Sequence, residues 1–406
     1  MTTATTNAEV RLKPRKAQPF FCRHPWVRDT AIAALSGQVA SGDVVELVSD
    51  AGEWIARGII NTHSRIRVRL YTWNRDEALD DDFWLKRIGT ALALRQGLGY
   101  DNPQGACRLI NSEADGLSGL IVDRYADHLV LQPTSLALGN RLGVIAAALD
   151  EHVSPASISV HVDEATAKLE GIAQTDLLSL VESATGKTTR PAEHVDIDEY
   201  GITFRVPIAH GQKTGFYLDQ RENRRAAAGL MAGRKVLDVC TYSGGFALAA
   251  LHAGAASAVG IDGSEAASSL AKDNAALNGL NQAEFQVADC FDDLARRVKA
   301  NEQFDAVILD PPKFAAGRRN IDAALRAYHR LNSDAVKLLS PGGILVTCCC
   351  SGSVDAHDFF EMLFGVAQKS KRDIQVLSQR GAAPDHPVSV TCRESSYLKC
   401  FICRVV

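Results

Sequence analysis

The chain is predicted to be an α/β protein whose C-terminal half folds as an open parallel sheet, preceded by a small β-rich unit and an α+β module. Three observations predict it. After Arg234, four short apolar runs each end on an aspartate and are separated by stretches of helical length. The first seventy residues instead carry brief β-branched runs broken by Gly, Asp and Ser, the pattern of a small β unit. A chain of 406 residues also exceeds what one ordinary core organises, so three domains are expected, over 9–80, 81–190 and 191–406.

In chain order, Met1–Asn7 has no apolar run and is expected to be a disordered lead-in. Arg11, Lys13, Arg15, Lys16, Arg23 and Arg28 follow, against only Glu9 and Asp29. Val44–Val48, Trp54–Ile60 and Ile66–Leu70 read as strands. Arg65, Arg67 and Arg69 alternate and would line one strand face, either a solvated edge or a surface for nucleic acid. Asp80–Asp82 opens a helix reaching about Leu98. Leu120–Asp123 and Leu129–Gln132 suit a hairpin, Leu142–Leu149 a helix and Ser157–Val162 a strand. Ser183–His194 is the expected linker, and Phe204–Val206 belongs to a further hairpin.

The run Lys235–Phe246 organises the rest. Val236, Leu237 and Val239 make a buried strand. Asp238 sits near its carboxyl end, where open α/β sheets hold ligands. Ser243-Gly244-Gly245 then turns into a helix, with glycines that let a ligand approach the backbone. The Gly-x-Gly-x-x-Gly of a dinucleotide site is missing, which counts against a nicotinamide enzyme. Asp262 ends a second strand and is placed to accept both hydroxyls of a ribose. Asp289 ends a third and suits the amino group of an adenine. Asp310 ends a fourth and leads into Pro311-Pro312-Lys313-Phe314. One such aspartate is ordinary at a strand end; four in succession, with helices between, point to a nucleoside-containing ligand.

Composition bounds the partners. A formal net charge of −4 does not announce a nucleic-acid binder, since phosphate neutralisation drives such affinity. No apolar run approaches a membrane span. Ten cysteines without a secretory signal suggest reduced thiols and a cytoplasmic protein. Cys400-x-x-Cys403 has no second pair and lies in an apolar terminal strand, so no metal is expected there.

The order of these motifs resembles the class I S-adenosylmethionine-dependent methyltransferases. Asp310-Pro311-Pro312-Lys313 is similar to the signature of RNA methyltransferases of that class. The wider chain resembles the bacterial family that methylates carbon 5 of cytosine in 23S rRNA. The matching stretches are Arg23–Val27, Asp115–Leu117, Lys213–Arg221, Asp310–Phe314, Cys350–Gly352 and Asp385–Pro387. The resemblance implies a Rossmann-like methyltransferase sheet and an opening PUA-like barrel that binds RNA through Arg23, His24, Trp26, Arg65, Arg67 and Arg69. It implies S-adenosyl-L-methionine as cofactor, S-adenosyl-L-homocysteine as product and 23S rRNA as partner, and leaves the oligomeric state open, a homodimer being one option. The cofactor residues it implies are Phe216, Asp219, Gln220, Arg221, Asp238, Ser243, Gly244, Asp262, Asp289 and Asp310. The sequence departs from that pattern at Arg28-Asp29-Thr30, and at the nearly neutral Ala165–Glu170 where the family carries a basic loop.

Carbon 5 of cytosine is a poor nucleophile, and a thiolate adding to carbon 6 activates it. Ile344–Gly352 supplies cysteines at the end of a strand. Cys348 and Cys350 should face one way and Cys349 the other. Cys350 matches the family's nucleophile, with Asp310 orienting the base and Lys313 lowering the thiol's pKa or binding an oxygen. Two alternatives stay open: methylation of an exocyclic amine or of another RNA, and an RNA-binding assembly protein with a vestigial cofactor fold. Asp385-His386-Pro387 reads as a turn with a structural histidine.

Overall fold

The structure is a computed structural model that describes residues 8–187, 192–209, 214–314 and 320–406. Met1–Asn7, Lys213 and the middle of the expected linker fall outside the described residues. Two compact units emerge. The first holds residues 1–195 together with Pro207–Gly215 and Pro384–Ser395, and the second holds Asp196–Val206, Phe216–Ala383 and Ser396–Val406.

In the first unit, β1 (Ala8–Leu12), β2 (Trp26–Arg28), β3 (Ile32–Leu35), β4 (Val44–Val48), β5 (Trp54–Ile60) and β6 (Ile66–Thr72) form one sheet in the order β2-β6-β5-β4-β1-β3. Period-two alternation buries Val10 and Leu12, Val45 and Leu47, and Val68 and Leu70 in one core. The same unit contains β7 (Ala106–Asn111), β8 (Leu120–Tyr125), β9 (His128–Pro133) and β10 (Ser157–Val160), ordered β10-β9-β8-β7. Helices Asp81–Gly97, Leu142–Val153 and Gln174–Thr185 contribute apolar residues to that sheet's core. The Asp80 carboxylate accepts from the Phe83 amide and starts the first of them.

Two arginines cross this interior as paired charges. Arg95 meets both oxygens of Asp115, at 2.7 and 2.9 Å, and Arg108 meets both oxygens of Asp123, at 2.8 Å each. Asp385 belongs to this network: its Oδ2 accepts from the Arg108 amide and its Oδ1 lies 2.9 Å from His386 Nδ1. His386 is 4% exposed.

The second unit opens with the hairpin β11 (Val195–Glu199) and β12 (Ile202–Val206). Its sheet comprises β13 (Lys235–Val239), β14 (Ser257–Asp262), β15 (Ala283–Val287), β16 (Phe304–Leu309), β17 (Leu339–Cys349), β18 (Ile374–Arg380) and β19 (Lys399–Val405). The order is β15-β14-β13-β16-β17-β19-β18. β13 to β17 run parallel, and β19 is antiparallel to both its neighbours. The chain leaves β13 toward β14 and β15, then returns to its other side with β16 and β17. That reversal opens a crevice at the carboxyl ends of the central strands.

Cys400 and Cys403 are buried on β19. Three residues apart on a strand, they face opposite ways. Among the described residues no helix is long and apolar enough to cross a membrane.

Candidate active site

Asp238 is 1% exposed, and its Oδ2 accepts from Thr241 Oγ1 at 2.6 Å and from the Ala247 amide at 3.0 Å. It ties the end of β13 to the helix Gly245–His252 across the intervening loop. Burial raises its pKa to about 6. Its Oδ1 is buried without a hydrogen-bond partner among the described residues.

The loop spanned by that carboxylate has an unusual backbone. Cys240, Tyr242 and Gly244 all adopt positive φ, at 63°, 49° and 83°. Glycine accepts that conformation freely, but the two side-chain-bearing residues pay on the order of 1 kcal/mol each. Such strain persists where surrounding contacts hold it and concentrates at ligand sites. Here the Thr241 amide donates to Ile261 O, and the Tyr242 amide to Asp262 Oδ2 at 3.0 Å. Ser243 is buried, with its carbonyl accepting from Asn274 Nδ2 at 3.1 Å.

Asp262 therefore ends β14 already engaged: Oδ2 takes the Tyr242 amide and Oδ1 the Ser264 amide at 2.9 Å. A carboxylate oxygen has a second lone pair for a further donor. Asp289 caps the helix Cys290–Lys299 through Oδ1 and remains exposed.

Asp310 follows β16, and its Oδ1 accepts from Gln220 Nε2 at 2.9 Å. Gln220 is itself held: its Oε1 accepts from Asn223 Nδ2 at 2.7 Å, and Asn223 Oδ1 accepts from Arg380 Nε at 3.0 Å. Asp219, 2% exposed, accepts from the Tyr397 hydroxyl at 2.6 Å. Phe216 and Arg221 flank the same segment and make these contacts with protein groups. Phe216 lies beneath the Arg224 guanidinium and beside Phe204, and Arg221 pairs with Glu199 at 3.5 Å. Glu199 also receives both Nε and Nη2 of Arg224, at 2.7 Å each. These residues brace the segment that presents Asp219 and Gln220.

The three cysteines behave differently. Cys348 and Cys349 are fully buried, whereas Cys350, just past β17, is half-buried. The Cys350 thiol lies 3.8 Å from Pro311 O, so it borders the Asp-Pro-Pro turn. Cys348 contacts Cys400, while Cys349 joins the core with Tyr328 and Phe359, the alternation expected of a strand. The Tyr217 ring packs edge-on to Tyr242, with centroids 5.3 Å apart. Burial pushes its phenol pKa up, reinforced by Asp310, Tyr242, Cys350 and Asp219 in that order. Those neighbours identify Tyr217 as a member of the site that was not singled out from sequence. Lys313 is exposed on the turn, and Phe314 stacks against Tyr328 at 4.8 Å.

The basic stretch of the first unit divides. Arg23 and Arg65 are exposed, and Arg67 is half-buried. Arg69 is 7% exposed, its Nη1 donating to Glu113 at 3.2 Å and to Ser118 Oγ at 3.0 Å. Trp26 Nε1 donates to the same Glu113, and His24 Nε2 lies 3.3 Å from Glu394. The expectation that three alternating arginines share one exposed face is corrected at Arg69, because residues 113–118 cover that end of β6.

Known proteins agree with this architecture. The profile of the S-adenosylmethionine-dependent methyltransferase family matches residues 179–388, and that of the PUA-like domain matches 10–73. The chain is similar to Ribosomal RNA large subunit methyltransferase I of Erwinia tasmaniensis, 36% identical over 95% of this chain and 96% of the relative. The protein of that name from Photobacterium profundum is 39% identical over 94% and 96%. The crystal structure of SMU.776, solved with SAH, superposes with TM-score 0.81 at 20% identity, covering 98% of this chain and 99% of that one. The chain belongs to the ribosomal RNA large subunit methyltransferase I family of S-adenosylmethionine-dependent methyltransferases.

Proposed function

We propose that this protein methylates carbon 5 of a cytosine in 23S rRNA through a covalent bond between Cys350 and carbon 6. The supporting observation is the placement of Cys350: a half-buried thiol beside Pro311 O, in the Asp-Pro-Pro turn, while the preceding two cysteines are packed away. S-adenosylmethionine, when bound, supplies an electrophilic methyl group on a sulfonium. The residues fit it in their chemistry. Asp238 carries a buried oxygen without a hydrogen-bond partner among the described residues, and the 240–244 loop is held in a strained open turn. Asp262 and Asp289 offer acceptors for ribose hydroxyls and an adenine amino group. Asp219 and Gln220, beside Gly244 in role, are assigned to the methionine end.

In the reaction, the Cys350 thiolate donates its electron pair to carbon 6 of the pyrimidine. The displaced pair of the 5,6 double bond makes carbon 5 nucleophilic, and carbon 5 takes the methyl group. A base then removes the carbon-5 proton, the double bond reforms, and Cys350 leaves as the thiolate. Asp310, oriented by Gln220, holds the pyrimidine, and Pro311-Pro312 forms a rigid wall. Lys313 is assigned to the substrate backbone. The target must be unstacked to reach a thiol at this depth. Arg23, Arg65 and Arg67, with His24 and Trp26 shaping the surface between them, are assigned to RNA.

The test is transfer of labelled methyl to unmodified 23S rRNA, followed by nucleoside identification, for wild type and Cys350→Ala. The expected result is 5-methylcytidine from the wild type and none from the variant. Label in another nucleoside, unaffected by the substitution, would overturn the reading.

A further inference from the structure

Lys399 is the first residue of β19, opposite Cys349 in the ladder, and is 6% exposed. A buried lysine costs several kcal/mol unless its hydrogens are satisfied and its charge has a use. Its Nζ donates to Ser351 O at 2.6 Å and to Tyr397 O at 2.8 Å. Both acceptors are carbonyls, which satisfy two of the three hydrogens without neutralising the charge. Ser351 is the residue after Cys350, and Tyr397 is the residue whose hydroxyl holds Asp219.

We infer that Lys399 is a positioning residue for the nucleophile: its ammonium pins the backbone immediately after Cys350 and stabilises the Cys350 thiolate from behind the strand. The inference rests on the reading of Cys350 as nucleophile given above.

The other groups around the thiol make such a cation useful. Asp310 approaches from the end of β16, and Tyr217 from the segment before residue 218. Tyr328 approaches from the helix Ile321–Leu338, and Cys349 adjoins on β17. Asp355, capping the helix Ala356–Ser370, acts on Lys399 from the far side. The two phenols stay neutral, their pKa values pushed up by burial. Beside neutral phenols, a half-buried thiolate has Lys399 as a cation that acts on it. Burial pushes the Lys399 pKa down, while Cys349 and Cys350 pull it back up. That attraction is mutual, so the same charge favours the thiolate.

The test reads the thiol directly and needs no RNA. Alkylation of Cys350 by iodoacetamide, located by peptide mass, is followed from pH 5.5 to 10 in wild type, Lys399→Gln and Lys399→Arg. Glutamine keeps two donors for the carbonyls but no charge; arginine keeps the charge. The inference expects the alkylation profile of Lys399→Gln to move about one pH unit upward and its rate at pH 7 to fall about tenfold. Lys399→Arg should retain most of the wild-type profile. A Gln profile superimposable on wild type would make Lys399 structural only and overturn the inference. Should neither variant fold, the wild type decides: half-maximal alkylation at or above the ordinary thiol value of about 8.5 overturns it. Methyl transfer is measured in parallel. A shifted alkylation profile with no 5-methylcytidine from the wild type sinks the cytosine reading and leaves the Lys399 effect standing.

Discussion

Gln220 and Asp310 come from segments ninety positions apart and meet through one hydrogen bond of 2.9 Å, Gln220 Nε2 donating to Asp310 Oδ1. Asn223 and Arg380 hold Gln220 in turn. A carboxylate held by a neutral donor keeps its charge and its orientation. The relay therefore contributes to where Asp310 points.

Breaking the relay should harm turnover more than folding. Asn223→Ala leaves Gln220 Oε1 without its donor and lets the Gln220 amide rotate. The expected result is a kcat for RNA methylation lowered about tenfold or more, since misplaced positioning groups carry such costs. The thermal midpoint should drop modestly, because the lost bonds are worth about 1 kcal/mol each. Steady-state kinetics beside a melting curve separate the two effects, and an unchanged kcat would refute the relay's role.

Asp238 should leave a signature in acid. Its pKa is raised by burial from the ordinary 3.8 to about 6, so the folded state binds this proton more tightly than the unfolded state. The stabilisation is complete below the unfolded value and is lost as pH rises through the folded one. Relative to Asp238→Asn, wild type without cofactor should lose on the order of 3 kcal/mol between pH 4 and pH 7. Urea unfolding of both proteins across that window checks it. A difference independent of pH would show that Asp238 is ionised normally.

The buried Arg108–Asp123 pair predicts an asymmetric pattern in the first unit. Asp123→Ala strands a guanidinium and should cost about 3–5 kcal/mol, because the remaining charge is uncompensated. Replacing both partners with apolar residues of similar volume should cost clearly less than that single change. Chemical denaturation of the two variants distinguishes a charge penalty from simple loss of packing.

The arginines of the first unit should separate by salt dependence. Arg23→Ala and Arg65→Ala each remove an exposed cation, and each should reduce the slope of log affinity against log salt by roughly 0.7–0.9 if it meets a phosphate. Arg69→Ala should leave that slope unchanged while lowering stability, because its charge is committed to Glu113. Filter binding to rRNA fragments at several salt concentrations measures both. A slope change for Arg69→Ala would place it on the RNA surface after all.

Much of this protein was legible in the residue order. Strand runs ending on Asp238, Asp262 and Asp310, each followed by a helical stretch, determined the parallel sheet and its ligand edge. Those signals are local: apolar period, turn glycines and a carboxylate at a strand end. The alternation of Cys348, Cys349 and Cys350 is also local, but it groups Cys348 with Cys350, and the resemblance at Cys350–Gly352 singled out Cys350.

Tertiary structure decided which of those groups are available. Arg69 alternates with Arg65 and Arg67 in sequence, but a segment more than forty positions away covers it and takes its charge. Phe216 and Arg221 sit in a motif beside Gln220, and their contacts with Arg224 and Glu199 come from the tertiary structure. Lys399 shows the limit most plainly. In the run Tyr397–Val406 it reads as one charge at the start of an apolar strand. Only insertion of β19 between β17 and β18 sets it against the carbonyl of Ser351, the residue after Cys350. Burial, and hence the worth of a charge, depends on chain segments distant in sequence, which no local pattern encodes.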